Sequence, residues 1–127
     1  MTHALFTLSG CPSSVLDDEG LIRSAVIQAA EECGATFLGL RSHKFSPQGV
    51  TCAGLLAESH ITIHTWPERG VAACDIFTCG DANPLHGVEY LFKCLQATDR
   101  DCTVVTRPLA VSEILRVSQG SIGEGAK

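Results

Sequence analysis

Residues 36–78 read TFLGLRSHKFSPQGVTCAGLLAESHITIHTWPERGVAACDIFT, and this stretch decides the fold. It contains four runs of strand-forming composition, 36–44, 50–57, 60–65 and 71–77, with no helical periodicity between them. FSPQG, Glu58-Ser59 and WPERG separate the runs, and each has the composition of a turn. Four consecutive strands joined by such short links can pair only antiparallel, because a parallel pair needs a long crossover.

Working outward, each side of this block offers one amphipathic helix and one strand. Over residues 17–33, Leu21, Ile22, Ala25, Val26, Ala29, Ala30 and Cys33 follow i, i+3/i+4 spacing. Asp17, Asp18 and Glu19 suit the start of that helix and Gly34 suits the position just past its end. A second stripe, Leu85, Val88, Leu91, Phe92 and Leu95, follows Asn83-Pro84, a cap and first turn. Residues 3–8 and 102–107 supply the outer strands. The order is β-α-β-β-β-β-α-β, which predicts an α+β two-layer sandwich: a mainly antiparallel sheet with two helices on one face. It is loosely a βαββ unit followed by ββαβ, without a convincing repeat in the sequence. The tail SQGSIGEGAK (118–127) is small and polar and is expected to be disordered.

Composition bounds the function. The chain has 127 residues, enough for a single domain, with 45% hydrophobic and 18% charged residues, as in a globular protein. A net charge of −5 with only isolated basic residues argues against nucleic-acid binding. No apolar run approaches the ~20 residues of a membrane span, and the N-terminus lacks a signal peptide's pattern, so a soluble, cytoplasmic protein is expected. The seven cysteines, Cys11, Cys33, Cys52, Cys74, Cys79, Cys94 and Cys102, include no Cys-x-x-Cys pair and read as reduced thiols, several of them in the core.

In a sheet covered by helices on one side, the other face needs an explanation. Alternation over 60–65 sends Ile61 and Ile63 one way and His60, Thr62 and His64 the other. If the isoleucines meet the helices, the histidines face outward, together with the chain's one tryptophan, Trp66, just beyond. Three chemistries compete for this segment. Two histidines four apart suit a metal on a helix, but on a strand they lie ~13 Å apart. Serine hydrolysis needs a serine beside a base held by a carboxylate, and Ser59 lacks the usual Gly-x-Ser-x-Gly elbow. In the third, the Ser59 hydroxyl attacks the carbonyl before it and converts the peptide to an ester. β-Elimination then leaves a dehydroalanine, which hydrolyses to a pyruvoyl group. Alternation would put Ser59 on the face opposite His64 unless it lies in a turn before the strand, where a strained peptide is expected.

The run ESHITIHTWPERGVAACDIFTCG (58–80), with ECGATFLGLRSHKFSPQGVT (32–51) upstream, closely resembles the prokaryotic pyruvoyl-dependent S-adenosylmethionine decarboxylase proenzymes. The likeness covers most of residues 3–107. It implies self-cleavage between Glu58 and Ser59, giving a β chain of residues 1–58 and an α chain of 59–127. Ser59 then becomes the pyruvoyl group that forms a Schiff base with the substrate, and no metal or pyridoxal phosphate is required. By the same resemblance His64 assists processing and Cys79 returns a proton to the substrate. Phe45 and Trp66 flank the adenine, and Glu68 binds the ribose hydroxyls. Thr51 stands where the family commonly has a processing serine. The family forms a homodimer with its active sites at the subunit interface. Aromatic faces at Phe45 and Trp66 suit a purine and a sulfonium cation, and the Glu68 carboxylate suits a diol. The implied product is the aminopropyl donor for polyamine (spermidine) synthesis. The same amino-acid chemistry would serve a decarboxylase of arginine or ornithine, and an unprocessed, non-catalytic paralogue is the reading from another class. His60 is left between orienting Ser59 and serving as an ordinary outer-face residue; His3, His43 and His86 receive no role.

Overall fold

The computed structural model describes residues 1–108, so the expectation for the 118–127 tail lies outside the described residues. The elements are β1 (Thr2–Ser9), α1 (Ser13–Leu16), α2 (Glu19–Glu32), β2 (Phe37–Lys44), β3 (Val50–Leu56), β4 (His60–Trp66), a 3₁₀ turn (Pro67–Arg69), β5 (Val71–Thr78), α3 (Pro84–Cys94) and β6 (Asp99–Thr106). The six strands form one sheet in the order β2-β3-β4-β5-β1-β6, with every neighbouring pair antiparallel. The expected α+β sandwich is therefore present, with β4 and β5 at the centre of the sheet.

Strand alternation divides the sheet as the sequence requires. Ala4, Phe6 and Leu8 of β1, Val50, Cys52 and Leu56 of β3, Ile61 and Ile63 of β4, and Ala72, Cys74 and Ile76 of β5 are all buried. They meet Ile22, Ala25, Val26, Ala29 and Ala30 of α2 and Val88 and Leu91 of α3. α2 begins two residues later than its periodicity suggests, because Asp18 caps it: the Leu21 amide donates to Asp18 Oδ1 at 3.0 Å. Gly34, in the left-handed region at φ 75°, follows its end as expected. α3 starts at Pro84, capped by Asn83, whose Oδ1 accepts from the Leu85 amide at 3.0 Å.

Two elements differ from expectation. α1 is a single turn whose cap, Pro12, makes no side-chain hydrogen bond, so nothing in the sequence announces it; burial of Val15 and Leu16 holds it. β6 begins at Asp99 instead of Cys102, because its polar start pairs through the backbone with Ser9, Leu8 and Thr7 of β1 at the sheet edge. Two glycines let the layers approach. A Cβ at Gly54 would sit 2.5 Å from Val26 Cγ1, and one at Gly87 would sit 2.6 Å from both Cys33 Sγ and Ile76 Cδ1. Larger residues there would push α2 and α3 off the sheet.

The uncovered face presents His60, Thr62 and His64 of β4 between Thr51, Ala53 and Leu55 of β3 and Ala73, Asp75 and Phe77 of β5. Leu55, 59% exposed, and Leu5 of β1, 43% exposed, lie on it as well. Among the described residues no helix is long and apolar enough to cross a membrane.

Candidate active site

Glu58 and Ser59 occupy the tip between β3 and β4. Leu56 and Ser59 bond to each other in both directions, amide to carbonyl, at 2.8 and 3.2 Å, which makes Ala57-Glu58 a two-residue hairpin loop. The Glu58 carboxylate locks the tip to the start of β2: it accepts from the Thr36 amide at 2.9 Å and from the Thr36 hydroxyl at 3.3 Å. The Ala57 amide donates to the Thr36 carbonyl at 2.9 Å. Ser59 thus lies in a turn just before β4, as alternation demands. Its φ of 159° is close to fully extended backbone, so reactivity here rests on the groups placed around it and not on a kink.

Two such groups touch it. The Cys79 thiol, just past β5, donates to the Glu58 carbonyl oxygen at 3.4 Å. The Ser59 hydroxyl lies 3.3 Å from His60 Nδ1. On its other side His60 Nε2 meets Asp75 Oδ2 at 2.8 Å, and His3 Nε2 meets the same oxygen at 2.6 Å. The Thr62 hydroxyl donates to Asp75 Oδ1. Burial alone would raise the Asp75 carboxyl, but the bonds from Thr62, His3 and His60 outweigh it and hold it below the usual aspartate range. Phe77 packs beside both imidazoles, with ring centroids 4.8 Å from His3 and 5.7 Å from His60.

His3 therefore belongs to the site, contrary to the sequence reading, and Asp75 was missed altogether. One signal was available. Asp75 is the only charged residue in the apolar strand VAACDIFT, and alternation from Ile76 places it on the outer face. His3, His60 and Asp75 are also the described residues whose donor atoms could share a metal ion, lying within 4.8 Å of one another. Their arrangement is that of a hydrogen-bonded group: both Nε2 atoms are directed at one carboxylate oxygen.

The remaining expected residues gather at the opposite end of β4. Thr51 pairs across the ladder with His64, and its Oγ1 lies 3.1 Å from His64 Nδ1. Beside them Phe45, Gln48, Gly49, Thr65, Trp66 and Glu68 line a cavity of about 320 Å³. Asp17 fixes the loop that carries Phe45. Its carboxylate accepts from the Gly49 amide at 2.8 Å and pairs with Lys44 at 3.0 Å, and these contacts hold its pKa low. Phe45 and Trp66 remain 46% and 43% exposed. At about 3.3 Å per residue, Ser59 lies ~16 Å along the strand from His64 and ~23 Å from Trp66. One chain thus holds two groups of the expected residues, Glu58–Ser59–Cys79 and Thr51–His64–Phe45–Trp66–Glu68, on one face and at opposite ends of β4.

Comparison with known proteins identifies the family. A family model described as S-adenosylmethionine decarboxylase matches residues 2–108. An S-adenosylmethionine decarboxylase proenzyme from Synechococcus sp. is 46% identical over 120 residues, covering 92% of this chain and 94% of that protein. One from Caldanaerobacter subterraneus subsp. tengcongensis is 47% identical over 106 residues, covering 83% and 86%. The crystal structure of the adenosylmethionine decarboxylase from Aquifex aeolicus superposes with a TM-score of 0.78 at 33% identity, covering 86% of this chain and 91% of that one.

Proposed function

Because the chain belongs to the S-adenosylmethionine decarboxylase family, we propose that it is a self-processing decarboxylase of S-adenosylmethionine that supplies the aminopropyl donor for polyamine synthesis. The observation that carries this reading is the hydrogen bond from the Cys79 thiol to the Glu58 carbonyl. The carbon of that carbonyl is the one the Ser59 hydroxyl must attack, and a donor on its oxygen stabilises the charge that develops there. Cleavage then divides the protein into residues 1–58 and 59–127. The relatives' designation as proenzymes supports this step.

The residues present fit a pyruvoyl group at position 59, since a serine, an oxyanion donor and an imidazole already converge on one partly buried peptide. When formed, that group supplies a conjugated carbonyl able to delocalise the electron pair that decarboxylation leaves behind. Cys79 then stands beside the reacting carbon with a proton to return. His64 and Thr51 assist processing; Thr51 keeps the hydroxyl that the family's serine would bring, 3.1 Å from the His64 ring. Phe45 and Trp66 hold the adenine and sulfonium, and Glu68 accepts from the ribose hydroxyls.

The separation of the half-sites supports a homodimer. Six covalent bonds join the substrate's α-carbon to its ribose C3′, about 8 Å at most, and that span cannot bridge the length of β4 in one chain. Two chains packed antiparallel through their outer faces bring the Ser59 end of each onto the Trp66 end of the other. The exposed Leu5 and Leu55 would be covered in the process. The enzyme works in the cytoplasm, without metal or pyridoxal phosphate. Intact mass is the first test: two fragments divided at Ser59, with the second refractory to N-terminal sequencing, are expected. A single 127-residue chain, or turnover of ornithine or arginine in preference to S-adenosylmethionine, would reject this function.

A further inference from the structure

We propose that His60, held by Asp75, is the base that removes the Ser59 proton in self-cleavage, with His3 and Thr62 positioning Asp75. The inference rests on the self-processing reading above and assigns its first proton transfer. An ionised carboxylate only accepts hydrogen bonds, so His60 Nε2, 2.8 Å from Asp75 Oδ2, must carry a hydrogen. In a neutral imidazole Nδ1 is then bare, and that lone pair lies 3.3 Å from the Ser59 hydroxyl. The bond between them therefore runs from Ser59 Oγ–H to His60 Nδ1, which is the direction a general base requires. Asp75 also stabilises the imidazolium that forms.

Asp75 is itself fixed from two further sides. His3 Nε2 donates to Oδ2 at 2.6 Å and the Thr62 hydroxyl donates to Oδ1, so the carboxylate cannot rotate away from His60 without losing both. These ties come from β1 and β4 onto β5, the rigid centre of the sheet. His64 cannot take this role within the same chain, since it lies ~16 Å along the strand.

Ser59 Oγ bonds to the Glu58 carbonyl carbon while its proton passes to His60 Nδ1, and Cys79 donates to the carbonyl oxygen. The tetrahedral centre collapses, the carbon–nitrogen bond breaks, and the His60 proton goes to the departing Ser59 nitrogen. The result is an ester with a free amine and a neutral His60. Elimination across Ser59 Cα–Cβ follows, releasing the Glu58 carboxylate, and water completes the conversion with loss of ammonia. His60 and Asp75 are needed for the first of these steps.

The test follows processing of freshly made chain by intact mass, with and without hydroxylamine, which cleaves esters and spares amides. Wild-type chain is expected to cut. His60→Ala and Asp75→Asn are each expected to slow cutting at least about 100-fold and to remain a single chain in hydroxylamine, because no ester has formed. Either variant cutting at the wild-type rate overturns the proposal. So does accumulation of chain that hydroxylamine splits at Ser59, which would move His60 to the elimination. An uncut wild-type chain instead fails the self-processing reading itself. A second measurement does not depend on these variants folding. In uncleaved Ser59→Ala protein, ¹⁵N spectra should show His60 as the Nε2–H tautomer. A Nδ1–H tautomer in the Ser59→Ala protein overturns the proposal.

Discussion

Mixed dimers provide the sharpest test of the divided site. Ser59→Ala removes the electrophile-forming residue from one half-site, and Glu68→Ala removes the ribose acceptor from the other. Alone, the first should be inactive. The second should lose about 10–100-fold in kcat/KM, as expected for charge-assisted hydrogen bonds worth ~1.5–3 kcal/mol. Co-expressed in equal amount, the two chains pair at random, and about half of the dimers are mixed. Each mixed dimer has one site built from the intact Ser59 of one chain and the intact Glu68 of the other, and one site carrying both changes. The population should therefore show about a quarter of wild-type kcat/KM, and mixed dimers isolated through two affinity tags about half. β4 sets ~23 Å between Ser59 and Trp66, whereas the substrate spans about 8 Å between its reacting carbon and ribose. If each site were built within one chain, no wild-type site could arise. The mixture would then stay below about 5% of wild type, half the best value of Glu68→Ala alone. Release of CO₂ from carboxyl-labelled S-adenosylmethionine reads the result. Activity at that level in the isolated mixed dimer, or full wild-type activity in a monomer, would refute the shared site.

Other expectations follow from single residues. Gly54→Ala places a methyl 2.5 Å from Val26 Cγ1 on the buried, rotamer-restricted face of α2. It should cost about 1–3 kcal/mol in denaturant unfolding of the uncut Ser59→Ala chain; an unchanged midpoint would show that the layers separate freely. Cys11, Cys33, Cys52 and Cys74 are buried, and burial pushes the Cys33 thiol up to about 11. Native protein should accordingly take at most three adducts from a neutral thiol reagent, at Cys79, Cys94 and Cys102, against seven when unfolded, and mass spectrometry would expose a fourth. Asp75 titrates below its ordinary 3.8 in the folded state, so its contribution to stability is full above that value and disappears as pH falls through the folded one. Thermal melts of Ser59→Ala should fall more steeply below about pH 4 than those of Ser59→Ala with Asp75→Asn, and parallel curves would contradict the assignment. Thr51→Ser should process within about threefold of wild type, whereas Thr51→Val, which loses the oxygen facing His64, should slow by tenfold or more; equal rates by intact mass would remove Thr51 from processing.

Period-2 and period-3.6 patterns made the layers legible, because the buried positions on β3, β4, β5 and α2 recur at the matching interval and, apart from Thr65 and Thr78, carry no polar side chain. The motif residues were legible too, down to the outward direction of His60 and His64. What escaped was what depends on strand order. His3 and Asp75 are 72 residues apart in the chain, and they meet only because β1 enters the sheet beside β5. No local pattern encodes that insertion. α1 escaped because a single uncapped turn has no period to detect, and the polar start of β6 because edge pairing uses the backbone alone. The distance between the two groups was hidden for another reason: residues close together in sequence suggest one pocket, and only the extended rise of a strand separates them.

The same strand order bears on what a cut at Ser59 would do to the protein. Residues 1–58 carry β1, α2, β2 and β3, and residues 59–108 carry β4, β5, α3 and β6. In the sheet these do not lie side by side as two blocks. β2 and β3 precede β4 and β5, but β1 then sits between β5 and β6, paired along its length with both. The larger part of the core is likewise shared, with α2 packed against β4 and α3 against β1. Opening the β3–β4 hairpin therefore removes one covalent link from a tip whose flanking ladders remain intact. Separating the pieces would require drawing β1 out from between two strands of the other fragment and exposing Ala4, Phe6 and Leu8 to water. The interleaving would let the chain break a peptide at a hairpin tip of its sheet and keep the new terminus beside Cys79 and His60, where the chemistry needs it.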